Sequence, residues 1–290
     1  MLGILLVHKP LSMTSHDVVN TIRRRFGTKR VGHAGTLDPL ATGLLVVAVG
    51  PATRFLQYLP LEPKVYVAEI QFGQSTTTYD AEGELSESSP VPDDLAGAIR
   101  TSLPAFHGLI QQYPPMYSAV KVSGKPLYKY AREGKEAVRE PRTVHIDSFE
   151  ILDVTGTVAK ARICCSGGTY IRSLAHDLGA ALGCGGYLKS LVRTQVGRFH
   201  LTESIALDSS SISDLIPLRE ALPPMPLIEL DALQTANIRE GRAIFLAEPP
   251  ESQLIGLIEP NGNVFSVAKI IGNLLQPECV IPSEIPYGAA

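Results

Sequence analysis

The sequence GHAGTLDPLATG occupies residues 32–43 and decides how the rest of the chain is interpreted. Its three glycines permit backbone conformations that other residues avoid, so the segment can fold as a tight loop. Asp38 precedes Pro39, which restricts its backbone to extended forms. A buried strand is predicted to follow over 44–49. A carboxylate on such a stiff loop suits a nucleophile or a general base, although an aspartate that only stabilises a turn fits the same residues.

A second candidate is Tyr66, within a strand predicted over 65–72. Strand alternation places its ring on one face with Ala68, Ile70 and Phe72, which favours a core tyrosine. Since Tyr66 leads that apolar face, its ring is also suited to stack on a base.

The third candidate is Arg172, in the sequence SGGTYIR at residues 166–172. A helix is predicted over 170–182, and the macrodipole disfavours a cation in its first turn. A locally unfavourable residue often marks a functional site. Arg172 is therefore expected to pair with a carboxylate and keep it ionised, unless its side chain extends into solvent.

Charge is distributed unevenly along a chain of 290 residues with a net charge of −3. Residues 200–290 hold 12 acidic and 4 basic residues, whereas residues 1–199 hold 17 acidic and 22 basic residues. Local basic clusters on a nearly neutral protein indicate a polyanion footprint, or else solvated surfaces. The two clusters are Arg23, Arg24, Arg25, Lys29 and Arg30, and Lys121, Lys125, Lys129, Arg132, Lys135, Arg139 and Arg142.

The remaining pattern predicts one large domain and a small one. Residues 111–142 contain prolines, glycines and most of the second basic cluster, which is typical of an exposed functional loop. A proline-rich boundary at 223–226 precedes short apolar runs, and Glu259-Pro260-Asn261-Gly262 predicts a hairpin between two of them. The first ten residues are too short an apolar run for a signal peptide or a membrane span, so a cytoplasmic protein with no membrane association is expected. The four cysteines lack zinc-ligand spacing, so no metal is expected.

The three motifs, in this order, resemble the TruB family of tRNA pseudouridine-55 synthases. The sequences VHKP at 7–10, QYPPMYSAVK at 112–121, LGCG at 182–185 and LVR at 191–193 resemble it too, so the resemblance covers residues 3–200. It implies an α+β fold: a pseudouridine synthase-type mixed β-sheet with flanking helices over residues 1–222, carrying an RNA-binding flap at 111–142. The tail, residues 227–290, resembles a small β-rich PUA-like domain.

The resemblance also implies a function. The chain is expected to isomerise uridine to pseudouridine in the T-stem-loop of tRNA, as a monomer and without a cofactor. Asp38, Tyr66 and Arg172 would be catalytic, His33 would fill the gap left by the extruded nucleotide, and Leu191 would pack beneath the pocket. The other expected substrate or RNA contacts are Lys9, Tyr170, Lys121, Lys125, Lys129, Arg132 and Arg193.

Two alternatives are weighed against this function. A non-catalytic RNA-binding protein or tRNA chaperone would keep the basic clusters but would not need Asp38, Tyr66 and Arg172 together. A carboxylate-dependent glycosidase needs two facing carboxylates. The motifs supply only Asp38, with Asp177 further along the helix, and the chain has no tryptophan to bind a sugar. Both alternatives are less favoured than the synthase.

Overall fold

The computed structural model describes residues 1–282, which form a large mixed sheet, a smaller C-terminal sheet and a short hairpin. The helices are α1 (Ser15–Arg25), α2 (Leu95–Ser102), α3 (Leu127–Arg132), α4 (Ile171–Ala181), α5 (Leu218–Ala221) and α6 (Ala232–Arg239). The strands before α4 are β1 (Gly3–Lys9), β2 (Val31–Ala34), β3 (Ala41–Val49), β4 (Lys64–Phe72), β5 (Gly108–Gln112), β6 (Lys121–Val122), β7 (Lys125–Pro126), β8 (Arg142–Thr155) and β9 (Val158–Cys165). Those after it are β10 (Gly186–Val196), β11 (Phe199–His200), β12 (Ile205–Ala206), β13 (Leu227–Glu229), β14 (Ile244–Phe245), β15 (Leu254–Ile258), β16 (Val264–Ile271) and β17 (Leu274–Val280).

The large sheet places the three sequence motifs side by side. Its strand order is β12-β1-β3-β10-β4-β9-β8-β5, with β2 also paired to β3 and β11 to β10. Strand β3 follows the Asp38 loop, β4 carries Tyr66, and β10 lies between them, parallel to β3 and antiparallel to β4. Helix α4, which begins with Ile171 and Arg172, packs its buried face on the same core. The predicted α+β class is therefore confirmed.

Local sequence explains why the first helix forms where it does. Thr14 caps α1 and makes a reciprocal capping box with Asp17, in which each side chain accepts a hydrogen bond from the backbone N–H of the other residue. Val18, Val19 and Ile22 are buried on one face of the helix, and Arg23, Arg24 and Arg25 in the last turn suit the macrodipole. The helix is thus anchored at both ends, and it can support the Asp38 loop.

The C-terminal sheet has the order β13-β15-β16-β17-β14. Strands β15 and β16 form the predicted hairpin, and the Gly262 N–H donates to the Glu259 carbonyl across its turn. One face of this sheet shares a hydrophobic cluster with the large sheet, in which Val264, Val267 and Cys279 pack with Phe55 and others. The two sheets are therefore joined by apolar burial. Among residues 1–282, no helix is long and apolar enough to cross a membrane.

We predict that Gly43→Ala destabilises the protein far more than Gly27→Ala. Both glycines have positive φ, which costs an alanine about 1 kcal/mol. A Cβ at Gly27 would meet nothing within 4 Å, whereas one at Gly43 would lie 2.7 Å from the Arg193 nitrogen and closer still to its carbonyl oxygen. Because β3 and β10 pair at this point, the added overlap should bring the total for Gly43→Ala to about 3 kcal/mol or more. Urea unfolding of both variants measures the difference, and equal losses would contradict the close approach of the strands.

Candidate active site

The loop that carries Asp38 is fixed from below by a serine of α1. The buried Ser15 Oγ accepts a hydrogen bond from the Leu37 N–H at 2.8 Å and donates to the Leu37 carbonyl at 3.1 Å. The Ala41 N–H donates to the Asp38 carbonyl at 3.0 Å, which closes the turn at Pro39. The position of the Asp38 carboxylate is thus set by backbone hydrogen bonds on either side of it.

Two fully buried cations hold the same loop and its neighbours. The Lys9 Nζ donates to the carbonyls of Met13 at 2.5 Å, Pro10 at 2.9 Å and Pro39 at 3.5 Å. Burial lowers the pKa of Lys9 to about 8, although the nearby Asp38 charge opposes that change. Lys9 therefore lies beneath the loop rather than on the solvent-facing surface where an RNA contact is expected.

Arg193 is the second buried cation and belongs to β10. Its guanidinium donates to the carbonyls of Leu44 at 2.9 Å, Gly35 at 3.1 Å and Thr36 at 3.5 Å. Only 1% of the residue is exposed, and these hydrogen bonds go to backbone carbonyls of the loop and of β3 rather than to solvent. Burial lowers the pKa of Arg193, and the adjacent Tyr66 opposes that change.

The guanidinium of Arg172 is the centre of the site. Its Nε lies 2.9 Å from Asp38 Oδ2, and its Nη1 lies 3.3 Å from Asp80 Oδ2. Nη1 also donates to the Thr78 carbonyl at 3.2 Å, and Nη2 donates to the Tyr117 carbonyl at 2.9 Å. The side chains of Arg172 and Asp80 are 6% and 3% exposed, whereas that of Asp38 is 38% exposed. Asp38 therefore offers a carboxylate that a substrate can reach. The buried ion pair of Arg172 and Asp80 holds it and is called its ionic support below.

The electrostatics of Asp38 combine opposing effects. Burial raises the pKa of Asp38 above its ordinary value of 3.8; Arg172 lowers it, and Asp80 adds to the rise. The paired Arg172 is what favours the ionised carboxylate in a partly desolvated position. The site can therefore present a negative oxygen to an electrophilic carbon.

Tyr66 and Leu191 complete the apolar side of the site. Tyr66, 7% exposed, packs in one cluster with Ala68, Ile70 and Phe72, as strand alternation predicted, and Leu191 joins that cluster. Burial raises the pKa of Tyr66, and Arg193 opposes this through its charge and a hydrogen bond. The Tyr66 hydroxyl is therefore a protonated group beside a buried cation.

The flap segment begins at a clamp on α4. Gln112 accepts from the Tyr170 N–H at 2.7 Å and donates to the Tyr170 carbonyl at 3.0 Å, and Ser173 Oγ donates to the Tyr113 carbonyl at 3.0 Å. Together with the bond from Arg172 to Tyr117, these contacts tie the start of the flap to the site.

Further out, the flap presents its basic residues near the surface. Lys125 and Lys135 both pair with Glu133, at 2.5 and 3.3 Å, while Lys121, Lys129 and Arg132 are exposed. His33 lies apart from the flap on β2 and is partly buried, which lowers its pKa.

Comparison with family models identifies the chain. The N-terminal domain of the TruB family pseudouridylate synthases matches residues 23–171, and the C-terminal domain of tRNA pseudouridylate synthase B matches residues 172–225. The chain belongs to the TruB family of pseudouridylate synthases. The two family segments meet between residues 171 and 172, within the first turn of α4.

Relatives of this TruB chain extend over nearly its whole length. It is 44% identical to tRNA pseudouridine synthase B of Thermobifida fusca (strain YX), over 96% of this chain and 98% of that protein. It is 45% identical to that of Opitutus terrae (strain DSM 11246 / JCM 15787 / PB90-1), over 77% and 92%. Among solved structures, a Cbf5-Nop10-Gar1 complex matches with a TM-score of 0.66 at 26% identity, covering 97% of this chain and 85% of that chain. These likenesses agree with the expected synthase fold.

The TruB site also contains residues that the sequence motifs did not single out. Asp80, which lies outside the three sequence motifs, supplies a second carboxylate at Arg172. Asp80 is engaged by Thr78 Oγ1 at 2.5 Å and by the Glu82 N–H at 3.0 Å, which leaves it supporting the site rather than facing solvent. The only signal for Asp80 in these motifs' surroundings was the threonine-rich run that precedes it in the sequence. Gln112 was noted only as part of a family-like segment.

We predict that Asp80→Asn lowers the pKa of Asp38. The substitution removes the like charge that raises this pKa and keeps the side-chain shape, so the ionised form of Asp38 gains stability. A carbon-13 carboxyl NMR titration of aspartate-labelled protein measures the shift. Residues 80–94 form a short acidic tract, and Glu87→Gln at an exposed acid within it is the control, which should leave the titration unchanged. An Asp38 pKa that rises or stays constant in Asp80→Asn would contradict the shared ionic support.

Proposed function

We propose that this chain converts uridine 55 in the T-stem-loop of tRNA to pseudouridine, acting as a monomer in the cytoplasm. One observation carries the proposal: the partly exposed Asp38 carboxylate is held on the buried Arg172, which is itself paired with Asp80. Membership of the TruB family and the tRNA pseudouridine synthases among its relatives support the reaction and the substrate class.

The proposed reaction is an isomerisation in which Asp38 acts at the ribose. The bond between C1′ and N1 breaks and its electrons remain on the uracil, while Asp38 either bonds to C1′ or stabilises the charge that develops there. The detached base turns so that C5 faces C1′ and forms the new bond, which displaces the Asp38 carboxylate if it had bonded to C1′. The C5 proton then leaves and N1 gains a proton. Substrate and product are isomers, so the reaction needs no redox cofactor and no energy source.

Tyr66 is proposed to stack on the uracil and to handle the proton at C5. Because burial raises its pKa, Tyr66 is protonated at neutral pH and must pass on its own proton before it accepts another. The neighbouring Arg193 stabilises a phenolate by charge and by a hydrogen bond, which makes that transfer less costly. Leu191 would pack under the ring, in the cluster it shares with Tyr66.

A uridine inside folded RNA must leave the base stack to reach Asp38. Extrusion costs a few kcal/mol, which stacking and hydrogen bonds in the pocket partly recover. His33 is proposed to occupy the vacated position, and Tyr170 and Lys121 to contact the RNA near the flap. Lys9 and Arg193, also expected to bind RNA, are better assigned to holding the loop, because their hydrogen bonds go to backbone carbonyls.

The proposed division of labour is a catalytic domain over residues 1–222, with the flap at 111–142, and a PUA-like domain over 227–290. Residues 283–290 lie outside the described residues. In the described part of the tail, Arg239, Arg242 and Lys269 each pair with a glutamate. Each of these cations has a glutamate of its own, whereas in the flap Lys125 and Lys135 share Glu133. The flap also exposes Lys121, Lys129 and Arg132, so it keeps an excess of positive charge and the phosphate contacts are proposed to come mainly from it.

We predict that Asp38→Asn abolishes turnover but keeps tRNA binding near the wild-type level. The amide preserves the shape of the side chain yet can neither attack C1′ nor stabilise positive charge there. The measurement is tritium release from an unmodified tRNA transcript labelled at uridine C5, because the new bond must expel that hydrogen.

Asp153→Asn, at an exposed acid of β8, is the matched control and should release tritium at the wild-type rate. Substantial release by Asp38→Asn would remove Asp38 from its role. If the wild type binds tRNA and releases nothing, the non-catalytic RNA-binding alternative replaces the synthase.

We predict that alanine at Lys125, Lys129 and Lys135 weakens tRNA binding and flattens its salt dependence. If all three lysines contact phosphates, their loss should reduce the slope of log Kd against log salt by about 2–3. Fluorescence titration with labelled tRNA at several salt concentrations gives the slope. Alanine at Arg242 and Lys269, which pair with Glu240 and Glu278, should leave it unchanged. An unaltered slope in the flap variant would exclude these phosphate contacts.

A further inference from the structure

Tyr79 lies beside the site, and its two neighbours in the sequence, Thr78 and Asp80, both contact Arg172. The carbonyl of Thr78 and the carboxylate of Asp80 both contact the Arg172 guanidinium. The ring of Tyr79 itself stacks on His176, with ring centroids 3.8 Å apart and an angle of 11° between the planes. His176 follows Arg172 by four residues on α4, so both lie on one face of the helix. Three consecutive residues thus contact that face.

The backbone at Tyr79 is strained, which indicates that its position is imposed by its surroundings. Its φ is +64°, in the left-handed region that non-glycine residues seldom adopt. Strand β10 holds it on one side, where the Leu188 N–H donates to the Tyr79 carbonyl at 3.0 Å and the Ala81 N–H donates to the Leu188 carbonyl at 3.0 Å. The stack on His176 holds it on the other side. Such conformations persist only when neighbouring contacts fix them.

His176 is held by stacking rather than by a hydrogen bond from its buried nitrogen. Its Nδ1 is buried and has no hydrogen-bond partner among residues 1–282. Burial lowers the pKa of His176, and the charge of Arg139 acts in the same direction. The imidazole is therefore neutral at physiological pH and offers a flat face to the tyrosine ring.

We propose that the stacked pair of Tyr79 and His176 is a positioning element for catalysis, which fixes the segment 78–80 against α4 so that Arg172 points at Asp38. The proposal rests on the proposed function, since it assigns a role to residues that support the Asp38 carboxylate. Neither ring is proposed to touch the reacting atoms. Their effect passes through the Thr78 carbonyl and the Asp80 carboxylate to Arg172.

The test compares kcat and KM for tritium release by wild type, Tyr79→Ala, Tyr79→Phe and His176→Ala. Loss of either ring should lower kcat by about tenfold and leave KM nearly unchanged, because the geometry of the reacting groups changes while the RNA contacts remain. Tyr79→Phe keeps the stacking face and should restore wild-type kcat. The double variant with alanine at both positions should lose no more than either single variant, because the two rings act as one unit.

Tyr79→Gly separates positioning from stability. Glycine accepts the positive φ without strain, so this variant should unfold at a temperature at least as high as Tyr79→Ala. Its kcat should nevertheless be as low as that of Tyr79→Ala, since both lack the ring. Tyr58→Ala removes a partly buried tyrosine near Glu278, next to the C-terminal sheet, and should keep wild-type kcat.

Wild-type kcat in Tyr79→Ala and His176→Ala would overturn this inference and leave the proposed function standing. A Tyr79→Phe variant as slow as Tyr79→Ala would overturn it as well, because the ring would then not be the feature that matters. Absence of tritium release by the wild type would overturn the proposed function and this inference together.

Discussion

The buried guanidinium of Arg172 is the constraint on which the site depends. It faces the carboxylates of Asp38 and Asp80 and the carbonyls of Thr78 and Tyr117. Removing one partner from a buried charge is far more costly than losing an exposed ion pair, so these contacts must form together. One side chain of α4 therefore brings together three other parts of the chain: the glycine-rich loop, the turn after β4 and the start of the flap. Asp80 and the carbonyls of Thr78 and Tyr117 satisfy three sides of the guanidinium. Its fourth side can therefore stabilise the carboxylate of Asp38, which the substrate can reach.

Two further buried cations keep the loop that carries Asp38 in one conformation. Lys9 and Arg193 donate to backbone carbonyls around Asp38, and both have pKa values lowered by burial. Burying these two charges costs free energy, and their hydrogen bonds to backbone carbonyls offset that cost. The loop has no hydrophobic core of its own, so it depends on these hydrogen bonds. The outcome is a carboxylate held in place before substrate arrives, which reduces the reorganisation needed as charge develops at the ribose. Arg193 also adjoins Tyr66, so one cation connects the loop with the ring proposed to meet the base.

The sequence predicted those parts of this arrangement that depend on local rules. The face shared by Tyr66 and Phe72 and the hairpin at Gly262 both depend on near neighbours. Asp80 was missed because Arg172, its partner, lies about ninety residues away, and a short acidic tract is ordinarily a solvated turn. The burial of Lys9 and Arg193 could not be foreseen either, because charged side chains are almost always exposed unless partners from distant segments surround them. The burial of Arg193 also made β10 hard to predict. Its sequence mixes apolar and basic residues, although the strand lies at the centre of the sheet.

Asp38 on its buried support is proposed to meet the ribose of an extruded uridine. A crystal structure of the Asp38→Asn variant bound to a T-arm stem-loop RNA tests this contact. We expect uridine 55 to have left the stack, with its C1′ within about 3.5 Å of the side chain at position 38 and its base against Tyr66. A uridine that remains stacked in the RNA loop, or one whose ribose lies away from position 38, would contradict it.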